Sequence, residues 1–181
     1  MKPGAGKRKG NAAERDLCRR ISLWITAGER DDTVWRSASS GAVFTVRNKA
    51  KKGGYNTQVG DLCSIDLISA PFFKKVAIES KHYADLQLSN MICGLPSKAE
   101  KFWLTHKELC NKAGKEPWAV MRQNRKPDLL FISNTFFDTV VESCKHVLMN
   151  SAVAHFPRMG CSIYVLEDFL KTFPYAELFV G

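Results

Sequence analysis

Apolar residues Leu17, Ile21, Trp24 and Ile25 recur at the three- and four-residue spacing of one helical face. Asn11 stands where an N-cap would, Glu14 follows three places on as in a capping box, and Gly28 supplies a stop. This pattern predicts a first helix over about 11–27. Residues 1–10 are Gly/Lys/Arg-rich without an apolar period and read as a flexible basic arm. A short strand is expected over 34–36, followed by a small-residue loop over 37–41 and a basic, glycine-containing loop over 47–56. Apolar runs over 61–68 and 72–81 predict two strands of a hairpin turned at Ser69-Ala70-Pro71. Residues 82–96 read as irregular. Residues 97–113 form an amphipathic helix with Ser97 and Glu100 at cap-like positions and Gly114 at its end. A second hairpin pairs 118–122 with 129–133 through a turn at 124–127. A helix over 136–149, a strand over 161–166 and a short terminal helix over 167–173 complete the chain. Such an order predicts an α/β fold, a mixed central sheet flanked by helices. Residues 11–181 read as one domain, in which 134–181 form a C-terminal extension without an assigned role.

Composition narrows the class. The chain has 181 residues, 45% of them hydrophobic, enough for the core of one domain. No run approaches the roughly 18 apolar residues of a membrane span. The first residues carry Lys, Arg and Gly with no apolar region behind them, which predicts no secretory signal. Cys18, Cys63, Cys93, Cys110, Cys144 and Cys161 are scattered without a CxxC pair. They read as free thiols of a reducing compartment, the cytoplasm of a cell or an infected host, and not as zinc ligands. The net charge of +9 is uneven: residues 1–52 carry +8, residues 53–126 carry +4 and residues 127–181 carry −3. A basic front half suits a polyanion, most simply nucleic acid.

Phosphodiester hydrolysis needs an activated water and a cation near the phosphate charge. Hard carboxylate oxygens holding Mg²⁺, with a lysine beside them, provide both. Glu79 and Lys81 lie two apart on an expected strand and so project to one face. If residues 69–71 make a three-residue turn, the same register places Asp61 opposite Glu79, and the three polar groups converge. A turn at Phe72-Phe73 would pair Asp66 with Glu79 instead. Ser-Ala-Pro makes the better turn, which favours Asp61 and leaves Asp66 as the reserve ligand.

Four motifs in order, with a fifth match downstream, carry a resemblance over roughly residues 9–133. Lys9-Gly10-Asn11-Ala12-Ala13-Glu14-Arg15 resembles the KGxxxER opening of the first helix in archaeal-type Holliday-junction resolvases, members of the PD-(D/E)xK nuclease superfamily. Arg36-Ser37-Ala38-Ser39-Ser40-Gly41 is similar to their Arg and Ser-Gly loop. Gly60-Asp61 resembles the Gly-Asp form of related phage proteins, and Ile78-Glu79-Ser80-Lys81 resembles the IExK strand. Gly114-Lys115-Glu116-Pro117, with Arg122 beyond it, is similar to the phage branch. The resemblance implies a restriction-endonuclease-like fold, Mg²⁺ (with Mn²⁺ as the alternative), a homodimer, and branched or four-way-junction DNA as substrate. It implies Glu14, Asp61 and Glu79 as metal-binding carboxylates and Lys81 as the catalytic lysine, with Arg15, Arg36 and Ser40 on the scissile phosphate. Lys98 and Lys101 occupy the helix where this fold often places a further polar contact. The same residues have structural duties open to them: Glu14 can cap its helix, Arg15 can be a helix surface charge, Ser40 can make a turn.

Two departures stand out. The chain lacks the Pro-Asp spelling, and between Ser40 and Asp61 it carries a long basic insertion. Arg47, Lys49, Lys51 and Lys52 in that insertion read as a DNA-gripping loop. Arg122, Arg125 and Lys126 are further candidates for the DNA backbone, and His82 reads as structural. Two other readings stay open: another PD-(D/E)xK nuclease (nicking, restriction-like or repair), and a basic nucleic-acid-binding protein without catalysis. Clustered carboxylates separate the classes, because without a metal they would repel a phosphate.

Overall fold

Residues 5–37, 59–140 and 142–179 are described by the computed structural model. In chain order they form α1 (Ala5–Ile25), β1 (Val34–Arg36), β2 (Leu62–Ser64), α2 (Ala70–Lys75), β3 (Val76–Tyr83), α3 (Leu88–Ile92), α4 (Lys98–Ala113), β4 (Glu116–Gln123) and β5 (Leu129–Ser133). A 3-10 helix (Asn134–Thr139), α5 (Glu142–Ser151), β6 (Ala154–Phe156), a 3-10 turn (Pro157–Met159), β7 (Cys161–Val165), α6 (Leu166–Thr172) and α7 (Tyr175–Phe179) follow.

Alternation builds the central layer. Five strands run in the order β3-β4-β5-β7-β6, with β3 at one edge. Only β3 and β4 are parallel, and the crossover a parallel pair requires is supplied by α4. On β4 and β5, Trp118, Val120, Leu130 and Ile132 enter one apolar cluster, while Ala119, Met121 and Phe131 enter the other. Both faces are therefore buried, as a sheet between two helical layers requires. Leu17, Ile21 and Trp24 of α1 cover the first face together with Phe169 and Phe173. Ala99 and Trp103 of α4 cover the second. Trp24 is the hub of the first cluster: its indole Nε1 donates to the Phe173 carbonyl (2.7 Å), and its ring meets Phe72, Trp118 and Phe169.

The structure bears out the α/β class, the strand over 34–36, the 97–113 helix and the second hairpin. Ser97 Oγ accepts from the Glu100 amide (3.0 Å), and Gly114 ends the helix at φ +64°. Gly28 likewise ends α1, its amide donating to Leu23 O (2.7 Å).

Other expectations are corrected. The first hairpin does not form: residues 70–75 are helical, and β2 pairs antiparallel with β1, Arg36 opposite Leu62. Pro71 serves as a helix-starting proline, a role as natural to it as a turn. Phe72 and Phe73 are thereby turned into the core. The first helix starts at Ala5, so Asn11 and Glu14 lie inside it and cap nothing. The irregular stretch 82–96 contains the end of β3 and all of α3. The helix expected over 136–149 is broken, because Val140 is extended between the 3-10 helix and α5. β6 was not foreseen, and the helix over 167–173 is followed by α7. No helix among the described residues is long and apolar enough to cross a membrane.

Candidate active site

Asp61 reaches the edge strand β3 by a different route from the expected hairpin. Its amide donates to Ile78 O (2.8 Å), its carbonyl accepts from the Ser37 amide (2.7 Å), and its Oδ2 accepts from the Ser80 amide (2.9 Å). Gly60 makes the approach feasible: at φ +99°, a Cβ there would lie 2.6 Å from the Ile78 carbonyl oxygen. The Gly-Asp spelling thus has a steric cause. Only glycine lets this backbone close onto β3 and hold the next side chain against it.

Glu79 and Lys81 project from β3 beside that carboxylate. Lys81 Nζ lies 2.9 Å from Glu79 Oε1 and 3.9 Å from Asp61 Oδ2. The ammonium also sits 5.0 Å above the Phe102 ring of α4, a cation–π distance. Asp61 is only 6% exposed. Burial first, and the Glu79 charge second, push its carboxyl up to about 6, against the pull of Lys81 and the Ser80 amide. Burial works to lower the Lys81 pKa, yet the Glu79 and Asp61 charges overcome it and hold the ammonium above the ordinary lysine value. Two carboxylates against one lysine leave a negative balance in a nearly dry place, an environment that favours a cation.

Glu14 stands in a second group. Its Oε2 accepts from Arg36 Nε, and Arg36 Nη2 donates to Asn11 Oδ1 (3.0 Å). Both side chains are partly buried, and Glu14 is close enough for its charge to add to the rise at Asp61. Among the described residues, no three of His, Cys, Asp and Glu gather tightly enough for a ready metal cage. The donor set at β3 is the Asp61–Glu79 pair, and one or two carboxylates are what Mg²⁺ ordinarily takes from a protein, its remaining positions going to water and phosphate.

Asp66 is drawn elsewhere. Its Oδ2 accepts from Arg30 Nη1 (2.8 Å) and its Oδ1 from the Ile68 amide (3.0 Å). These bonds hold it below the usual carboxylate range, the Ile68 amide contributing most. Arg15 is exposed on α1, and Lys98 and Lys101 are exposed on α4. Ser40, Arg47, Lys49, Lys51 and Lys52 lie outside the described residues. Arg122 is not a free backbone contact: it is nearly buried and pairs with Asp16 (2.7 Å) and Asp128 (3.0 Å). Arg125 and Lys126 are exposed in the β4–β5 turn. His82 meets the Asn124 side chain (3.0 Å).

Sequence reasoning missed the Ser80 amide and Phe102. The former has no side-chain signature. The latter directly follows Lys101 on α4, and only the packing of α4 on the sheet brings its ring under Lys81.

The chain matches the family described as "Phage putative PDDEXK endonuclease" over residues 5–179. The match runs through the C-terminal stretch as far as residue 179, a stretch on which the motifs are silent. No curated protein and no solved structure matches the chain. It belongs to that phage PDDEXK endonuclease family.

Proposed function

From that membership, which makes the chain a nuclease, we propose a Mg²⁺-dependent endodeoxyribonuclease that cuts branched DNA, four-way junctions above all, as a homodimer in the cytoplasm. The observation that carries the catalytic part is the convergence of Asp61, Glu79 and Lys81 on β3, with Asp61 latched to the strand through its backbone and its side chain. Asp61 and Glu79 hold the metal, with Mn²⁺ as the alternative ion. When bound, the metal supplies charge stabilisation at the phosphate and lowers the pKa of a bound water. Lys81 orients the attacking water and takes part in its proton transfer.

Arg36 has a second use in this reading. A phosphate competes for its guanidinium, since Arg pairs with carboxylate and phosphate through the same planar donors. Arg36 moving to the scissile phosphate frees Glu14 to join as a third carboxylate. Arg15 and Ser40 line the same phosphate, and the basic insertion with Arg47, Lys49, Lys51 and Lys52 grips the duplex. Residues 11–181 act as one nuclease domain, and of the basic stretch at 1–10 expected to be an arm, residues 5–10 are the first turns of α1. Two centres related by a two-fold axis suit the matching strands of a four-way junction.

The test is cleavage of a synthetic four-way junction, a matched linear duplex and a single strand, each with Mg²⁺ and with EDTA. Paired, metal-dependent nicks confined to the junction are expected. Metal-dependent cutting of every substrate would keep the nuclease and remove the junction preference. Tight, salt-sensitive binding without any cutting would favour a binder that lacks catalysis.

A further inference from the structure

The Gly114-Lys115-Glu116-Pro117 motif has no part in the centre on β3. Its Gly114, Lys115 and Glu116 line a cleft of about 690 Å³ at the other end of that strand, where β3 and β4 begin. Lys74 and Lys75 at the end of α2, Asn111 of α4 and Lys115 form its polar rim, over an apolar floor that includes Val76 and Phe179. Lys115 Nζ donates to the Phe73 carbonyl (2.7 Å), which fixes the ammonium at the mouth. Among the described residues, no carboxylate pairs with any of the three lysines. Glu116, the one acid in the lining, has its Oε2 engaged by the Ser133 and Thr135 hydroxyls, which donate to it.

Three lysines without a counter-charge need an explanation. A six-residue helix has little macrodipole to offset, so α2 alone does not call for two of them. The Lys115 amide closes α4 on the Cys110 carbonyl (3.0 Å), but its ammonium bonds to no carbonyl of that helix, and burial depresses its pKa with no nearby carboxylate to restore it. An ammonium held half-buried and unpaired stabilises an incoming anion.

We infer that this cleft is a second DNA contact, which takes the phosphodiester backbone of a substrate arm away from the cutting centre. The occupant follows from charge complementarity in a chain that belongs to a nuclease family. Strand rise is about 3.3 Å per residue, so the five steps from Val76 to Lys81 separate the two sites by roughly 16 Å. A duplex covers that span in four to five base pairs, at about 3.4 Å each. One continuous arm reaches both sites.

The inference rests on the nuclease reading, and its test keeps the two apart. Lys74→Glu with Lys75→Glu reverses two exposed charges without touching the core, and Lys115→Met removes the third while keeping its stem. Lys171→Glu, at an exposed lysine on α6, is the control. Binding of a 30-base-pair duplex is measured in EDTA across a salt series, and KM and kcat are then measured with Mg²⁺. The triple variant is expected to flatten the slope of log affinity against log salt by about 2.7, roughly 0.9 per lost phosphate contact. KM should rise about tenfold or more with kcat unchanged, and the control should match the wild type. If wild-type protein neither binds nor cuts DNA, the nuclease reading falls and the inference with it. If the wild type binds and cuts, and the Lys74/Lys75 double variant keeps its salt slope and KM, the cleft is not a DNA contact.

Discussion

Two charged clusters flank α1, and they differ in one respect that separates structure from chemistry. Between α1 and the β4–β5 turn, Asp16, Arg20, Arg122 and Asp128 form a closed set: Arg20 meets Asp128 (2.7 Å) and Arg122 meets both acids. Two positive and two negative groups cancel. At the edge strand, Asp61 and Glu79 face Lys81 alone, the balance is negative, and the most buried member is pushed away from its ordinary pKa. A cancelled cluster ties two elements together and needs nothing further. An uncancelled one disfavours the folded protein until a cation arrives, and such a site is a candidate for function.

The largest effect expected from this contrast is on cleavage. Glu79→Ala and Lys81→Ala should each lower the single-turnover rate by at least about 10²-fold, the scale of a lost proton-transfer or charge-stabilising group. Glu79→Ala should not lower the melting temperature, whereas Lys81→Ala leaves the Asp61 and Glu79 carboxylates without their counter-charge and should lower it at pH 8. Normal cutting by either variant with Mg²⁺ would remove the β3 cluster from the mechanism.

Stability should move the opposite way at Asp61. Its carboxyl titrates near 6 in the fold against an ordinary 3.8. Below pH 3.8 it is protonated folded or unfolded and carries no penalty. As pH rises from 3.8 to about 6 the unfolded carboxyl ionises while the buried one stays protonated, so stability is lost across that interval and the loss is complete above about 6. The full loss corresponds to about 3 kcal/mol. Asp61→Asn keeps an acceptor for the Ser80 amide and removes the charge. In EDTA it should melt higher than wild type at pH 8 and equally at pH 4, while losing cleavage. A lower melting temperature at pH 8 would show that the carboxylate is compensated after all.

The closed cluster predicts the reverse pairing of effects. Arg122→Met breaks a nearly buried ion pair but leaves Asp128 with Arg20, so a destabilisation of about 2 kcal/mol is expected, below the roughly 3–5 kcal/mol of a fully buried pair left without a partner. The rate per folded molecule should stay at the wild-type level. A variant that stays stable but loses its rate would place Arg122 in the nuclease machinery, where its position beside a turn had first suggested it.

How much of this the sequence showed depended on range. The second hairpin and α4 were legible because their signals are local: a turn at 124–127, Ser97 three places before Glu100, Gly114 at the stop. The site triad was legible as a set of residues, yet the hairpin argued for it does not exist. Asp61 faces β3 because Gly60 permits a backbone contact with Ile78 across a helical insertion, and no strand register encodes that. Pro71 illustrates the ambiguity, since proline after serine reads as a turn or as a helix start until the burial of Phe72 decides. The capping role given to Asn11 and Glu14 failed for the same reason. Their partner, Arg36, lies over twenty residues away on β1, and pattern within a helix cannot reveal it.

The smallest effect is expected at Asp66, and it sharpens the comparison within one segment. Asp66 and Asp61 are five residues apart, and either could have been the motif carboxylate by spacing. One is buried and raised; the other is half-buried in the turn before α2, lowered by the Ile68 amide and Arg30. A satisfied surface carboxylate has little to offer a metal, because its lone pairs are already engaged and its charge is met by a guanidinium (2.8 Å). Asp66→Asn should therefore keep cleavage within about twofold of wild type, as expected for an exposed pair of small energetic weight. Single-turnover cleavage by Asp66→Asn beside Asp61→Asn at one Mg²⁺ concentration makes the measurement. Loss of cutting in the Asp66 variant with cutting retained in the Asp61 variant would exchange the two roles, and would require residues 65–68 to refold against β3 when DNA binds.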